Sequence, residues 1–539
     1  MTVRQAGSPT TDEQLASAWQ QGAKKRMEEQ MGWWTPESTP VDRARCRLYP
    51  KLSFFFDGTG NNLYQEMAKP AAERALSNVA KLFQAAIDDR DGQEAVARYI
   101  PGVGTPYRYA NGNISPDEDK GGALGLGFGV GGEMRLEAAL YEFRRILEIE
   151  WSAGALRHIE WITLSVFGFS RGATLARAFV RRLIAEQCER DADNRLMWKA
   201  RYGEQVRLRI VFLGLFDTVA SVGGPGLHMG WGSELAIPEG VERCLHFVSG
   251  HEVRQAFPLD SVRVGSEYPK KCEEVIYPGV HSDVGGGYFD GFQGRSNSLS
   301  RIPLRDMYAE ALNSGVMLRR LSDAPLEVRM EIALPPDAPL LHAYHTYMAS
   351  LPAADGSLES LPTTDGSLES LLHAHRTLKF RWRAAITRTN SDSRVLGALH
   401  RGVDPVVCDA VTAHNNHRTC SPTSWTYELP RKPDVQAKQL LAEHRRLVRQ
   451  IPAIREPVEW QGDTEWSRPR TRYEGLIIAT WDDRSGLPEE VETFMAEHVH
   501  DSVAHFTEWP CALHEQRAIF CDETRVLAAG EKHRRTAHA

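Results

Sequence analysis

Short, continuous apolar runs recur through the first half of the chain: Leu-Ser-Phe-Phe-Phe at 52–56, Ile162–Phe167, Leu208–Phe216, Cys244–Ser249 and Val275–Tyr277. Runs that do not alternate polar with apolar positions are what strands buried on both faces require. Between them, Glu133–Trp151 and Arg171–Gln187 carry apolar residues at helical spacing. Buried strands separated by helices predict an α/β core, a mostly parallel sheet with helices on both faces.

The flanks read differently. Residues 1–48 are polar, with a weakly apolar helix candidate at Asp12–Met31 and a Trp33-Trp34 pair; they read as a surface arm whose aromatic pair docks on the core. A core at 49–345 follows. Within 346–372 a ten-residue unit, Ser-Leu-Pro-Ala-Ala-Asp-Gly-Ser-Leu-Glu, is repeated in tandem from Ser350 with two substitutions, too short for a solenoid and read as a duplicated loop. Residues 373–470 form a basic, mainly helical accessory region. In it Arg376–Arg388 holds five basic residues and no acidic one. Arg376, Lys379, Arg381, Trp382 and Arg383 are therefore candidates for docking on an anionic membrane. The competing reading is a helix that packs its apolar face on the core with its arginines in water; it applies equally to Gln436–Ile451. In the final segment, 471–539, Gly475–Trp481 reads as a strand and Val491–Phe506 as a helix bearing His498, His500 and Asp501, both partly returning to the core.

Composition narrows the functional classes. The 539 residues include 64 basic and 71 acidic side chains, for a net charge of −7, which argues against nucleic acid as a partner. No apolar run approaches the length of a membrane span, and the N-terminus lacks a signal-peptide core. Eight scattered cysteines without a Cys-x-x-Cys pair fit reduced, buried thiols better than a disulfide framework or a zinc site. No metal motif is present, and Asp283 offers a cation only a single carboxylate.

The chemistry concentrates at Gly168-Phe169-Ser170-Arg171-Gly172, set between an apolar strand and a helix. In that context Gly-x-Ser-x-Gly is a nucleophile elbow of the α/β-hydrolase type, with Ser170 held out by a strained turn at a helix N-terminus. The two glycines are expected because a side chain at either would strike the neighbouring strand or helix. Ser170 needs a base and an orienting carboxylate. Asp217, at the end of the Ile210–Phe216 run, and His281, opening His-Ser-Asp-Val-Gly-Gly-Gly-Tyr, stand in the right chain order. His500 is the second choice of base, and His251 competes. Gly58 and Thr59, after the first strand, are expected to donate N–H groups to an oxyanion hole with Arg171. Asp57 is either a second-choice catalytic carboxylate or a brace for that loop. Gly127–Gly132 matches a dinucleotide-binding glycine pattern, but without a preceding strand it reads as a flap or tight loop.

The segments Phe54–Asn62, Gly168–Ala173, Gly214–Val219 and His281–Tyr288 together resemble the type VI secretion lipase effectors of the first family, in the same order. The resemblance spans Leu52–Tyr288, with a fainter echo at His500–Ala504. It implies an A-type phospholipase delivered into a rival bacterium's periplasm, needing no signal peptide. Its partners would be the membrane phospholipid substrate, a secretion spike protein and a cognate immunity protein. It also implies Ser170 as nucleophile, Asp217 as acid and His281 as base. No cofactor is expected, with a calcium requirement left open. The alternatives are a general lipase or carboxylesterase of the same fold, and a non-catalytic binding protein on a hydrolase scaffold.

Overall fold

The computed structural model describes residues 3–31, 46–89, 95–109, 117–151, 157–200, 205–224, 226–351, 368–388, 392–400, 429, 431–461, 464–504 and 517–521. Its main sheet contains seven parallel strands: β1 (Val3–Gln5), β2 (Lys51–Phe56), β3 (Ala95–Ile100), β4 (Trp161–Phe169), β5 (Gln205–Phe216), β6 (Cys244–Ser249) and β7 (Cys272–Tyr277). They lie in the order β1-β7-β6-β5-β4-β2-β3, and a small antiparallel pair, Cys188–Arg190 and Leu196–Lys199, extends the start of β5. The helices that frame it are α1 (Asp12–Met31), α2 (Asn78–Ala85), α3 (Gly132–Arg145), α4 (Arg171–Gln187), α5 (Arg301–Asn313), α6 (Pro339–Ala349), α7 (Leu368–Thr387), α8 (Pro433–Arg455), α9 (Arg472–Asp482) and α10 (Glu489–Glu497).

The phenylalanines of β2 show why the runs are continuous. Phe54 and Phe56 meet Phe179 of α4 on one face, while Phe55 stacks on Phe167 and meets Phe83 edge-on on the other. Successive side chains of one strand feed two separate cores, so both phases of the period-2 pattern are apolar. In β5 a bulge between Ile210 and Phe212 flips that phase. Leu208 and Ile210 before it, and Leu213 and Leu215 after it, all enter the core beneath α3 and α4.

Four expectations are corrected. The N-terminal segment is no surface arm: β1 pairs with Glu274–Ile276 of β7, and α1 packs on α5. Small residues hid this contact, because α1 approaches α5 through Ala18 and through Gly22, where a Cβ would lie 2.1 Å from the Leu312 carbonyl oxygen. Trp33-Trp34 and most of the duplicated unit fall outside the described residues. Gly475–Trp481 lies in a helix, α9, not a strand. Its Thr471–Glu474 capping box and the seat it offers Ile477 and Ile478 against Leu447, Ile451 and Ile454 of α8 override the β-favouring Ile-Ile pair. The helix expected over Val491–Phe506 ends at Glu497, leaving His498, His500 and Asp501 in the following turn.

The largest correction concerns the basic segment. Arg376, Lys379, Trp382 and Arg383 on α7 are all buried, so they do not face a membrane. Arg383 pairs with buried Asp501, Lys379 donates to the His251 carbonyl at 3.1 Å, and Arg376 donates to the Glu252 carbonyl at 3.3 Å. Arg381, half-buried, pairs with Asp483 at 3.1 Å. Arg376, Lys379 and Arg383 are instead internal braces between α7 and the loops beside the sheet. Among the described residues, no helix is long and apolar enough to cross a membrane.

Candidate active site

Ser170 follows β4 directly and stands one residue ahead of α4, with φ 57° and ψ −127°. A non-glycine residue holds that conformation only when its surroundings enforce it. Backbone bonds do so here: Ser170 N–H donates to Phe216 O at 3.0 Å, and its carbonyl accepts from Ala173 at 3.0 Å and Thr174 at 3.3 Å. The flanking glycines let the chain close. A Cβ on Gly172 would lie 2.2 Å from Asp57 O and 2.3 Å from Phe56 O; one on Gly168 would lie 2.5 Å from the Ala173 Cα. Gly172→Ala must therefore push α4 away from the end of β2. We expect it to lower stability by about 3 kcal/mol, read from the urea unfolding midpoint.

Asp217 directly follows β5 beside this turn, also at positive φ (39°) and fully buried. His281, opening the short helix after β7, donates through Nδ1 to Asp217 Oδ2 at 2.6 Å. The same carboxylate accepts from Ser249 N at 3.0 Å and Ser249 Oγ at 2.7 Å. Arg517 completes its shell, with Nη1 3.0 Å from Oδ1 and Nη2 2.8 Å from Oδ2. Burial opposes charge on Asp217, but Arg517 and the His281 bond outweigh it and hold the carboxyl well below its usual range.

Burial likewise pushes the His281 imidazole below its ordinary pKa, against the pull of Asp217. A neutral ring that donates through Nδ1 presents Nε2 as an acceptor. Nε2 is buried without a hydrogen-bond partner among the described residues. The ring is wedged between Phe169 and Phe257, with centroids 4.6 and 5.0 Å away. Its backbone N–H donates to Glu252 Oε2 at 3.2 Å, and Glu252 also takes Arg254 at 2.9 Å. Ser170 and His281 line the same cavity of about 450 Å³, together with Thr59, Leu126 and Arg254.

The first-strand loop differs in detail from expectation. The Gly58 N–H is taken by the Asp57 carboxylate at 2.7 Å and so does not point to the cavity, whereas Thr59 lines it. Asp57 also accepts from Ser77 Oγ at 2.5 Å and from the Tyr99 hydroxyl, so its carboxyl braces the loop. Burial raises its pKa to about 6, partly offset by those bonds. The Arg171 side chain ties the elbow to its surroundings, donating to Thr59 Oγ1 at 2.7 Å and to the Leu126 carbonyl.

The other candidates lie elsewhere. His500 Nδ1 pairs with Asp283 Oδ1 at 2.6 Å, and its ring packs on Tyr288 rather than lining the cavity. His251 bonds to Gly279 N at 2.9 Å and to the Tyr347 hydroxyl at 2.8 Å. Asp283 is engaged by His500 and by Val280 N at 3.0 Å, and no cluster of three or more metal-ligating side chains occurs among the described residues. The glycine-rich stretch forms a short helix, Ala123–Phe128, and the start of α3. A Cβ on Gly132 would lie 2.3 Å from the Trp231 ring.

Residues 51–188 and 185–310 match the family "T6SS, Phospholipase effector Tle1-like, catalytic domain". This chain carries a Tle1-like catalytic domain. The match runs from β2 into α5, and hence takes in Ser170, Asp217 and His281. Arg517 lies outside it. A crystal structure of an uncharacterized protein from Pseudomonas aeruginosa shares the fold, with a TM-score of 0.63 and 22% identity over 97% of this chain and 85% of that one. A structure of the Tle1 effector bound to the VgrG spike aligns with a TM-score of 0.39 and 19% identity, over 62% of this chain and 84% of that one. No curated protein matches the sequence.

What sequence reading missed around the Tle1-like site is its buried electrostatic frame: Ser249, Glu252, Arg254 and Arg517. A local signal existed only for the first three, which end β6 or follow it within a few residues, where a parallel sheet gathers functional groups. Arg517 lies 300 positions from Asp217 and carries no local mark.

Proposed function

We propose that this protein is a serine phospholipase of the A type that cleaves acyl esters of membrane phospholipids, as a type VI secretion effector. The observation that carries the reading is the pairing of two features in one cavity: Ser170 in an enforced elbow, and, on a histidine held by Asp217, a buried Nε2 without a partner among the described residues. Ser170 Oγ attacks the ester carbonyl as His281 Nε2 takes its proton, and the tetrahedral oxyanion is met by the N–H groups of Thr59 and Arg171 at the start of α4. His281 returns the proton to the departing glycerol oxygen. Water then repeats the sequence on the acyl-enzyme and releases the fatty acid. The partners are taken to be those that the family resemblance implies, a secretion spike protein and, in the producer, an immunity protein. The target is the rival cell's membrane, reached from its periplasm.

The cavity supports phospholipid over neutral ester. Lys69, Lys120, Arg254 and Arg431 line it; Lys69 is paired with Glu66, Arg254 with Glu252 and Arg431 with Glu73, and of those carboxylates Glu66 alone lines the cavity itself. Fatty-acid release from phospholipid liposomes, compared with a triglyceride emulsion and a short-chain ester, tests the assignment. Turnover of the short ester without liposome hydrolysis would move the substrate away from membranes.

With the basic helix α7 buried, the bilayer-facing surface is assigned to the rim of the cavity. Leu124 and Phe128, one helical turn apart, and Val130 are exposed beside Leu126, which turns into the cavity. Phe128 O accepts from Gly223 N at 2.9 Å, and Gly223 abuts exposed Met229. Replacing Leu124 and Phe128 together by Asp is expected to cut liposome hydrolysis about tenfold or more while leaving short-ester turnover within about twofold. Equal losses on both substrates would count against the rim.

A further inference from the structure

We infer that Arg517 is a positioning residue of this site: it locks the Asp217 carboxylate in place and, by neutralising it, keeps His281 unprotonated at lower pH than Asp217 alone would allow. The inference rests on the serine hydrolase reading above and adds a residue from the far end of the chain.

The geometry is specific. Arg517 is fully buried and its guanidinium grips both oxygens of Asp217, a bidentate arrangement that fixes the plane of the carboxylate. Nη1 also donates to Ser249 Oγ at 3.1 Å, itself bonded to Asp217, and Nε donates to the Phe257 carbonyl at 2.6 Å. Phe257 is one of the two rings that hold the imidazole. One side chain thus braces the acid, the acid's hydroxyl donor and the backbone of a residue that walls the base.

Arg517 is delivered by its own anchor. Ile519–Phe520 pair in parallel with Leu259–Asp260, with Leu259 N–H donating to Ala518 O at 2.8 Å and Ser261 N–H to Phe520 O at 2.9 Å. The Phe520 ring packs edge-on against His228, which is bonded to Asp260 at 2.7 Å. The segment 517–521 is a clip on the catalytic core.

The consequence for protonation follows from charge. Groups facing the imidazole are Asp217 from β5, Glu252 and Arg254 from the loop after β6, and Arg517 behind Asp217. Asp283, on the ring's own turn, is directed to His500 instead, and the cavity side carries Lys69, Lys120 and Arg431 against Glu66. An isolated carboxylate at 2.6 Å would stabilise the imidazolium and make the ring a slow base near neutrality. A cation bonded to the far side of that carboxylate weakens this pull while the Nδ1 bond survives. Removing Arg517 therefore raises the His281 pKa, and retaining a cation there restores it.

The test titrates His281 by NMR in histidine-labelled full-length protein, its resonance assigned by loss in His281→Gln. Arg517→Gln, Arg517→Lys and the parent are compared, with folding checked by circular dichroism. Arg517→Gln is expected to move the titration up by about one pH unit, and the acid limb of short-ester kcat/KM with it. Arg517→Lys is expected to return the titration to the parent value while kcat stays about tenfold low, because an ammonium cannot grip both oxygens. An unchanged titration in folded Arg517→Gln overturns the inference. So does an upward shift in Arg517→Lys equal to that in Arg517→Gln, since a lost cation could not then be the cause. If Arg517→Gln does not fold, Arg517→Lys alone decides: the parent titration with reduced kcat supports the role, and parent values for both overturn it. The titration needs no turnover, so a parent that hydrolyses no ester defeats the hydrolase reading without touching this measurement.

Discussion

Ser170→Ala is expected to lower fatty-acid release and short-ester turnover by about 10⁴-fold or more, with secondary structure unchanged. Both halves follow from the elbow. The bonds that hold Ser170 at φ 57° all come from its backbone, to Phe216, Ala173 and Thr174, and alanine keeps them. The lost atom is the one placed in the cavity with His281, so nothing replaces it as nucleophile. A glycine at the same position separates strain from chemistry: Ser170→Gly should be equally inactive yet about 1 kcal/mol more stable than Ser170→Ala, because only glycine tolerates the left-handed region freely. Thermal unfolding beside the activity assay reads both. Residual activity of Ser170→Ala near that of the parent would remove Ser170 as nucleophile.

Asp217→Asn is expected to act on activity and stability together. Each carboxylate oxygen is met by donors: Oδ1 by Ser249 N–H and Arg517, Oδ2 by His281 Nδ1, Ser249 Oγ and Arg517. Whichever oxygen the amide nitrogen replaces, a donor then faces a donor. If it faces His281, the ring turns to the wrong tautomer, and kcat/KM falls by about 10³- to 10⁴-fold. Arg517 also loses its anion in a fully buried site, costing about 3–5 kcal/mol in the denaturant midpoint. The sign with pH follows from the direction of the shift. The folded-state pKa of Asp217 is depressed, so its stabilisation is fully present above the unfolded value of about 4 and lost as pH falls below it. The stability gap between parent and Asp217→Asn should therefore be widest above about pH 5 and narrow in acid. A constant gap across that range would mean that the charge of Asp217 is not what Arg517 stabilises.

Much of this site was legible because the chemistry that builds it is local. A buried strand, a Gly-x-Ser-x-Gly turn and a helix are contiguous, and the glycines are required by carbonyl oxygens that the neighbouring strand must place there. Asp217 and His281 were legible for a related reason: both follow apolar runs, and a parallel sheet presents its strand ends at one edge. Asp57 shows the limit within the same motif. Whether its carboxyl acts or braces depends on Ser77 and Tyr99, which arrive from α2 and β3.

By itself, then, the sequence determined the α/β core, the parallel order of local strand–helix units and the serine, aspartate and histidine that meet at the candidate site. Period and turn chemistry are properties of neighbouring residues, and they survive in one dimension. Only the tertiary structure decided which charges are inside. The five basic residues of 376–388, without an acidic neighbour, read as a solvated or membrane-facing surface, because the acid that pairs with Arg383 is Asp501, more than a hundred positions away. The N-terminal strand and helix looked like an arm for the same reason: their partners, β7 and α5, come about 270–300 residues later. Arg517 is the extreme case. A buried ion pair leaves no periodicity and no spacing, only two opposite charges far apart in the chain, and it exists because folding brings them to a place where neither can remain charged without the other.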